Sequence, residues 1–221
     1  PYINKAGIIK TKTAIEGIVL KGVDERFDWK FISKYVQEGK IPSIVKDSIS
    51  RDILISTNTS QRIGVKSGET LILYFLPKEG GRPIGRKYQV SGLYHTGLEE
   101  YDSKFALGDI QVIQDINQWE ENQYSGYEVK LNDINKIDEV QSKIYKTLPP
   151  DLNAESIKET QPNIFDWLDL LVKNLKIIIE KFTPDFIFYQ SGVDILATDK
   201  LGRLDITIEG CKKRDEIVFQ L

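Results

Sequence analysis

The stretch "PKEGGRPIGR", residues 77–86, lies between two β-rich runs, "LILYFL" (71–76) and "KYQVSGLYH" (87–95). Glycine and proline at this density cannot continue either run, because proline lacks an amide donor and glycine adds chain freedom. The two runs are therefore expected to fold back on each other as strands joined by a long hairpin tip. The tip is charged. Lys78, Arg82, Arg86 and Lys87 against Glu79 are four cations against one carboxylate, a local +3 in a chain whose net charge is -3. A prolyl loop also loses less entropy when it docks. Pro77, Lys78, Gly81, Arg82, Pro83, Arg86 and Lys87 are thus the candidate partner-binding residues, with a solvated turn carrying routine charges as the competing reading.

Composition narrows the classes. The 221 residues are 40% hydrophobic and 29% charged, ordinary for a globular chain that buries a core. Lys and Arg number 30 against 33 Asp and Glu, so the basic excess that nucleic-acid binding needs is missing, and nucleic acid is not expected as a partner. Cys211 is the single cysteine, which excludes an intrachain disulfide and a Cys-based zinc site. No stretch approaches the ~20 apolar residues of a membrane-spanning helix, and no signal peptide is present. The chain starts at Pro1 in mid-pattern and contains no methionine. It reads as a water-soluble piece excised from a longer parent.

A pass along the chain predicts mixed α and β structure. Residues 14–23 alternate as a strand. Residues 28–37 place Trp29, Ile32, Tyr35 and Val36 on one helical face before Gly39. "RDILIS" (51–56) reads as a strand, "TNTSQRIG" as a short helix and "VKSGET" as a turn before the hairpin. "KFALGD" (104–109) reads as a strand ending at the N-cap of a helix over 110–118, and "YEVKLND" (127–133) as a further strand. Ile137, Val140, Ile144 and Leu148 line one face of a helix that Pro149-Pro150 ends. Strand, helix, strand, helix in this order is an α+β arrangement with a mixed sheet and a protruding hairpin. From Asn163, "NIFDWLDLLVKNLKIIIEKF" is apolar on more than one face, as a deeply buried helix or a lead-in to something apolar would be.

Smaller features read more plainly. Glu99, Glu100 and Asp102 form an acidic run expected to be solvated. Trp29, Trp119 and Trp167 fall on three predicted helical segments as core anchors. Thr96-Gly97, Gly64 and Gly68 read as turn-formers. Tyr94, Tyr101 and Tyr124 are candidates for one lipid- or partner-facing groove. No Gly-x-x-x-x-Gly-Lys-Ser/Thr phosphate loop occurs.

Five segments in order, "IVLKGVD" (18–24), "DILISTNTSQRIGVKSGETLILYFL" (52–76), "VSGLYHTGLEEYDSKFALGDIQVIQDINQW" (90–119), "YEVKLNDINKIDEV" (127–140) and "NIFDWLDLL" (163–171), resemble the extracytoplasmic domain of an ABC transporter permease. The type is that of the lipoprotein-releasing system, related to macrolide-export permeases, and the resemblance spans about residues 1–172. It implies a non-enzymatic, cofactor-free domain at the periplasmic face of a Gram-negative inner membrane. It also implies a periplasmic lipoprotein chaperone or lipoprotein cargo as partner, with a sister permease subunit and a cytoplasmic ATPase in the full parent. In that family a protruding hairpin captures the chaperone, which maps onto residues 77–87, although "GRPIGR" departs from the family's hook sequence.

The tail, "KFTPDFIFYQSGVDILATDKLGRLDITIEGCKKRDEIVFQL" (181–221), resembles a fragment of the zinc-dependent histone deacetylase superfamily. A short strand over 186–189 would deliver Asp194, which that resemblance makes one of three zinc ligands. The family's Asp-x-His and His-His motifs are absent, and the only histidine, His95, lies in "GLYHTG" of the permease-like part. A catalytic zinc needs three protein ligands and an open position. The alternative reading is thus an inactive deacetylase-type fragment, with the boundary expected at 172/173 and the tail too short to bury both faces of a parallel sheet.

Overall fold

The computed structural model describes residues 1–11, 14–77, 80–160, 173–183, 212, 215–216 and 219. They fall into two compact units, Pro1–Glu128 and Val129–Leu221. The expected "NIFDWLDLL" segment with Trp167, the strand over 186–189 and Asp194 lie outside the described residues.

The first unit runs β1 (Tyr2–Lys10), β2 (Ile15–Val23), β3 (Val36–Gly39), β4 (Asp52–Ser56), α1 (Thr57–Ile63), β5 (Thr70–Phe75), β6 (Ile84–Tyr94), α2 (Glu99–Asp102), β7 (Phe105–Asp109) and α3 (Ile110–Asn117). The strands form one mixed sheet in the order β3-β6-β4-β7-β2-β1-β5, with β2–β7 and β4–β6 parallel. Mixed α+β architecture is therefore what the chain has. Because β5 also pairs with β6, six strands close into a ring, and β3 attaches beside β5 on the same flank of β6. Inward positions such as Ile3, Ile9, Leu20, Ile53, Leu73 and Phe75 are fully buried in one cluster that α1 and α3 complete through Ile63, Val112 and Ile113. Each such side chain contributes about 1.5–3 kcal/mol by leaving water.

Local chemistry sets the helix ends. Ser56 caps α1 by accepting from Thr59 N at 2.9 Å, and Gly64 ends it in the left-handed region at φ 69. Asp109 closes β7 and caps α3, its Oδ1 accepting from Gln111 N at 2.9 Å and its Oδ2 from Ser50 N at 2.7 Å. Burial pushes this carboxyl above the usual range, and the two backbone donors oppose that shift. The strand-to-N-cap reading of "KFALGD" matches this arrangement.

Two expectations fail. Residues 28–37 form no α-helix: a 3-10 turn over Ile32–Tyr35 gives way to β3, where Val36 is extended (φ -72, ψ 119) and pairs opposite Tyr94. Trp29, Ile32 and Val36 do share a face, but it closes a satellite core with Leu54, Tyr94 and Leu107, and Phe27 meets the Trp29 ring edge-on at 4.8 Å. A free strand edge on β6 supplies the backbone partners that a helix would have supplied internally. Residues 127–133 form no strand either: among the described residues no ladder includes them. Tyr127 is left 68% and Val129 63% exposed.

In the second unit, α4 (Ile137–Thr147) is followed by α5 (Ile157–Thr160), and residues 173–182 are helical. Ile137 is buried and Val140, Ile144 and Leu148 half-buried, the face its spacing predicts. Asp138 and Glu139 favour the helix N-terminus, Glu139 pairs with Lys143 at 2.5 Å, and Gln141 donates to the Ala154 carbonyl at 2.9 Å. Among the described residues no helix is long and apolar enough to cross a membrane.

Candidate partner-binding surface

The β5–β6 hairpin is apolar on both faces of β5. Leu71, Leu73 and Phe75 point into the core, while Ile72 is 41% and Leu76 61% exposed and Tyr74 is half-buried between them. Period-two alternation puts these three on the outer face. The register sets Ile72 opposite Lys87 and Tyr74 opposite Gly85. A Cβ on Gly85 would come within 3.2 Å of the Tyr74 ring and 3.4 Å of Ile72, so the bare glycine lets both lie close over β6. The outer face thus carries an apolar stripe with a cation at its side. The uninterrupted "LILYFL" is the signal for it, since a strand apolar on both faces needs a cover on each.

The charged residues divide differently from the expectation that all lie on the tip. β5 ends at Phe75 and β6 begins at Ile84, so Pro77, Gly81, Arg82 and Pro83 lie in the tip, whereas Arg86 and Lys87 lie within β6. Adjacent strand residues face opposite ways. Lys87 stands on the outer face, and Arg86 turns to α3, where its Nη2 meets Asp115 Oδ2 at 2.9 Å. Lys78 lies outside the described residues. Gly80 (φ 80) and Gly81 (φ 122) hold the tip in conformations other residues rarely adopt, with open space around both. Arg82 is exposed there. Beside the hairpin a 430 Å³ hollow is lined by Arg51, Arg86, Lys87 and Tyr88. The Tyr88 hydroxyl is buried with no hydrogen-bond partner among the described residues, and burial raises its pKa.

In the acidic run Glu99 is exposed as expected, and Asp102 is not. Asp102 is fully buried at the end of α2. Its carboxylate accepts from Thr96 N (3.0 and 3.1 Å), Thr96 Oγ1 (2.7 Å) and Gly97 N (3.1 Å), and pairs with His95 Nδ1 at 3.0 Å. Ser56 Oγ, the α1 cap, donates to the Asp102 carbonyl. The Asp102 carboxylate therefore closes the 95–102 loop on itself, with Thr96-Gly97 as its ligands as well as turn-formers, while the Asp102 backbone carbonyl ties that loop to the start of α1. A His–Asp pair is also the rear of a catalytic triad. Among the described residues no hydroxyl or thiol is hydrogen-bonded to the His95 ring, and the role the geometry supports is structural.

The tyrosines do not form one groove. Tyr94 is buried and donates its hydroxyl to the Phe105 carbonyl at 2.8 Å, Tyr101 is 40% exposed and stacks on Phe105, and Tyr124 packs against the main core. Trp29 sits before the 3-10 turn and Trp119 just beyond the α3 cap, both partly buried against core clusters rather than inside helices.

Residues 152–221 match the histone deacetylase domain family. The match reaches further upstream than the resemblance seen over 181–221. Histone deacetylase 2 of Arabidopsis thaliana is 31% identical over 108 residues, which is 45% of this chain and 27% of that protein. An uncharacterized protein of Picosynechococcus sp. (strain ATCC 27264 / PCC 7002 / PR-6) is 35% identical over 53 residues, 24% of this chain and 18% of its own length. The chain thus spans about a quarter and a fifth of these two relatives. Among solved structures, the extracellular domain of the noncanonic ABC-type transporter YknZ from Gram-positive bacteria aligns with a TM-score of 0.44 at 17% identity, over 66% of this chain and 71% of that one. That score falls short of a shared fold.

Zinc, which the deacetylase family implies, does not fit the residues present. Among the described residues no group of three or more His, Cys, Asp or Glu could hold a metal ion. The single histidine is engaged by Asp102 in the first unit, and Asp194 has no Asp-x-His partner anywhere in the 221 residues.

Proposed function

We propose that the chain carries a non-enzymatic extracytoplasmic binding and coupling domain of an ABC transporter permease, of the lipoprotein-releasing type. Its contacts are with a periplasmic lipoprotein chaperone, lipoprotein cargo or a sister permease subunit, and the full parent works with a cytoplasmic ATPase. The observation that carries this reading is the β5–β6 hairpin: an outer stripe of Ile72, Tyr74 and Leu76, with Lys87 beside it and Arg82 at a glycine-shaped tip. Apolar anchors within a cationic rim are the make-up of a protein-binding surface. The permease-like motifs support the family part of this reading, and the hairpin supports the contact.

The test is calorimetric titration of the chain with a purified periplasmic lipoprotein chaperone. Leu76→Asp combined with Arg82→Glu is expected to weaken binding at least tenfold, about 1.4 kcal/mol. The thermal midpoint should stay within a degree or two, since exposed side chains contribute little to folding. Arg86 is left intact in this variant because its partner is Asp115. No binding by the unaltered chain would remove the lipoprotein-release assignment.

The match over 152–221 favours a second reading for that stretch, a fragment of a zinc-dependent deacetylase-type hydrolase, inactive as it stands. With one acidic candidate and no histidine beside it in sequence, the fragment is expected to keep no stoichiometric zinc after dialysis against zinc-free buffer. Mass-spectrometric metal analysis checks this. Zinc retained at one equivalent and lost in Asp194→Ala would restore the hydrolase reading.

A further inference from the structure

Strand β1 is paired with β2 along its whole length, from Tyr2 opposite Val23 to Lys10 opposite Ile15. Its other side is closed only near the two ends. At one end Tyr2 N donates to the Gly126 carbonyl at 2.9 Å and the Tyr2 carbonyl accepts from Ser125 N at 3.0 Å. At the other, Ile8 and Ile9 lie opposite Tyr74 and Leu73 of β5. In an antiparallel ladder a residue turns its N–H and C=O to the same neighbour, and the direction alternates along the strand. Tyr2 and Ile8 have the same parity, and so do Asn4 and Ala6 between them. The backbone groups of Asn4 and Ala6 are therefore directed away from β2. Among the described residues no strand or bridge meets them there.

The opening coincides with a groove of about 650 Å³. Ile8, Tyr74 and Leu76 give it apolar walls, Trp119 lies along it, and Gly17 leaves it clear, since a Cβ there would meet nothing within 4 Å. Among the described residues, the charged ones that line it are Lys5 and Lys104. Lys5 also donates to Asn117 Oδ1 at 2.6 Å and so holds its charge in place.

We propose that this groove receives an extended segment of a partner polypeptide, which adds as a strand to the open edge of β1. The segment would be apolar at alternate positions and carry a carboxylate for the lysine side. The occupant is a peptide and not an acyl chain, because an acyl chain would bury the Asn4 and Ala6 backbone groups without partners. Main-chain bonding to an exposed edge, with side-chain specificity from alternate pockets, is an established mode of recognition. Six residue steps from Tyr2 to Ile8 span roughly 20 Å, enough for a short strand. The groove shares Tyr74 and Leu76 with the outer stripe of the hairpin, but the open β1 edge that defines it depends neither on the hairpin tip nor on the transporter reading.

The experiment selects random nonapeptides displayed on phage against the whole chain, then measures the synthesised winners by fluorescence anisotropy and amide exchange. Winners are expected to alternate apolar residues, to include Asp or Glu and to lack proline in the centre. They should slow amide exchange at Asn4 and Ala6 at least tenfold. Gly17→Glu fills the groove without a clash and sets a carboxylate against that of the bound segment, and should weaken them at least tenfold with an unchanged melting curve. Ala6→Pro, which removes an edge donor, should weaken them similarly if its melt is intact. Failure to enrich any sequence, or winners that bind Gly17→Glu with full affinity, overturns the proposal. A dimer of the free chain that Gly17→Glu dissociates overturns it in favour of a second copy.

Discussion

Asp102→Ala is expected to destabilise the Pro1–Glu128 unit by about 3–5 kcal/mol, because each buried donor left without its acceptor costs about 1–3 kcal/mol. Three donors are affected within the loop, Thr96 N, Thr96 Oγ1 and Gly97 N, and His95 loses its partner as well. For a unit of this size the thermal midpoint should fall by roughly 10–20 °C. Asp102→Asn keeps one carbonyl oxygen and should lose about half as much. Circular dichroism melts of the three proteins decide the matter. A midpoint within 2 °C of the parent for the alanine variant would mean that water replaces the carboxylate and that the 95–102 loop does not depend on it.

The second large effect is expected at Gly92. This residue lies where β6 carries β3 on one side and β4 on the other, opposite Gly39 and Leu54. A Cβ there would sit 2.6 Å from the Lys40 carbonyl oxygen, 2.8 Å from that of Glu38 and 2.9 Å from Lys40 N. All three are backbone atoms, so no rotamer change relieves the clash and β3 must move off the sheet. Gly92→Ala should therefore cost more than about 3 kcal/mol, at the upper end of single substitutions. It should also open the satellite core over Leu54, Tyr94 and Leu107. Urea titration followed by tryptophan fluorescence reads both, since Trp29 packs on that cluster. A parental midpoint would show that β3 is held by its side chains alone.

What could be read from the sequence was what short-range chemistry determines. The hairpin strands, the Ser56-capped α1, the Asp109 cap of α3 and the apolar face of α4 all announce themselves within a few residues. Residues 28–37 have a helical pattern, yet the edge of β6 is a better partner for Val36 to Gly39 than their own preceding turn. Residues 127–133 have a strand pattern, yet no ladder among the described residues takes them up. Asp102 shows the same limit at the candidate surface. Nothing in "EEYD" distinguishes a solvated carboxylate from a buried one until the Thr96 and Gly97 amides converge on it. Closure of the ring through β5 could not be read at all, since it depends on pairings between residues as distant as Ile9 and Leu73. The groove beside β1 follows from that closure being short.

The bridge between Tyr2 and Gly126 has a mechanical meaning. It sets the first and last strand-level contacts of the first unit side by side, so chain enters and leaves that unit at one point. Tension applied to both ends would load this local clasp and leave the closed ring unstretched.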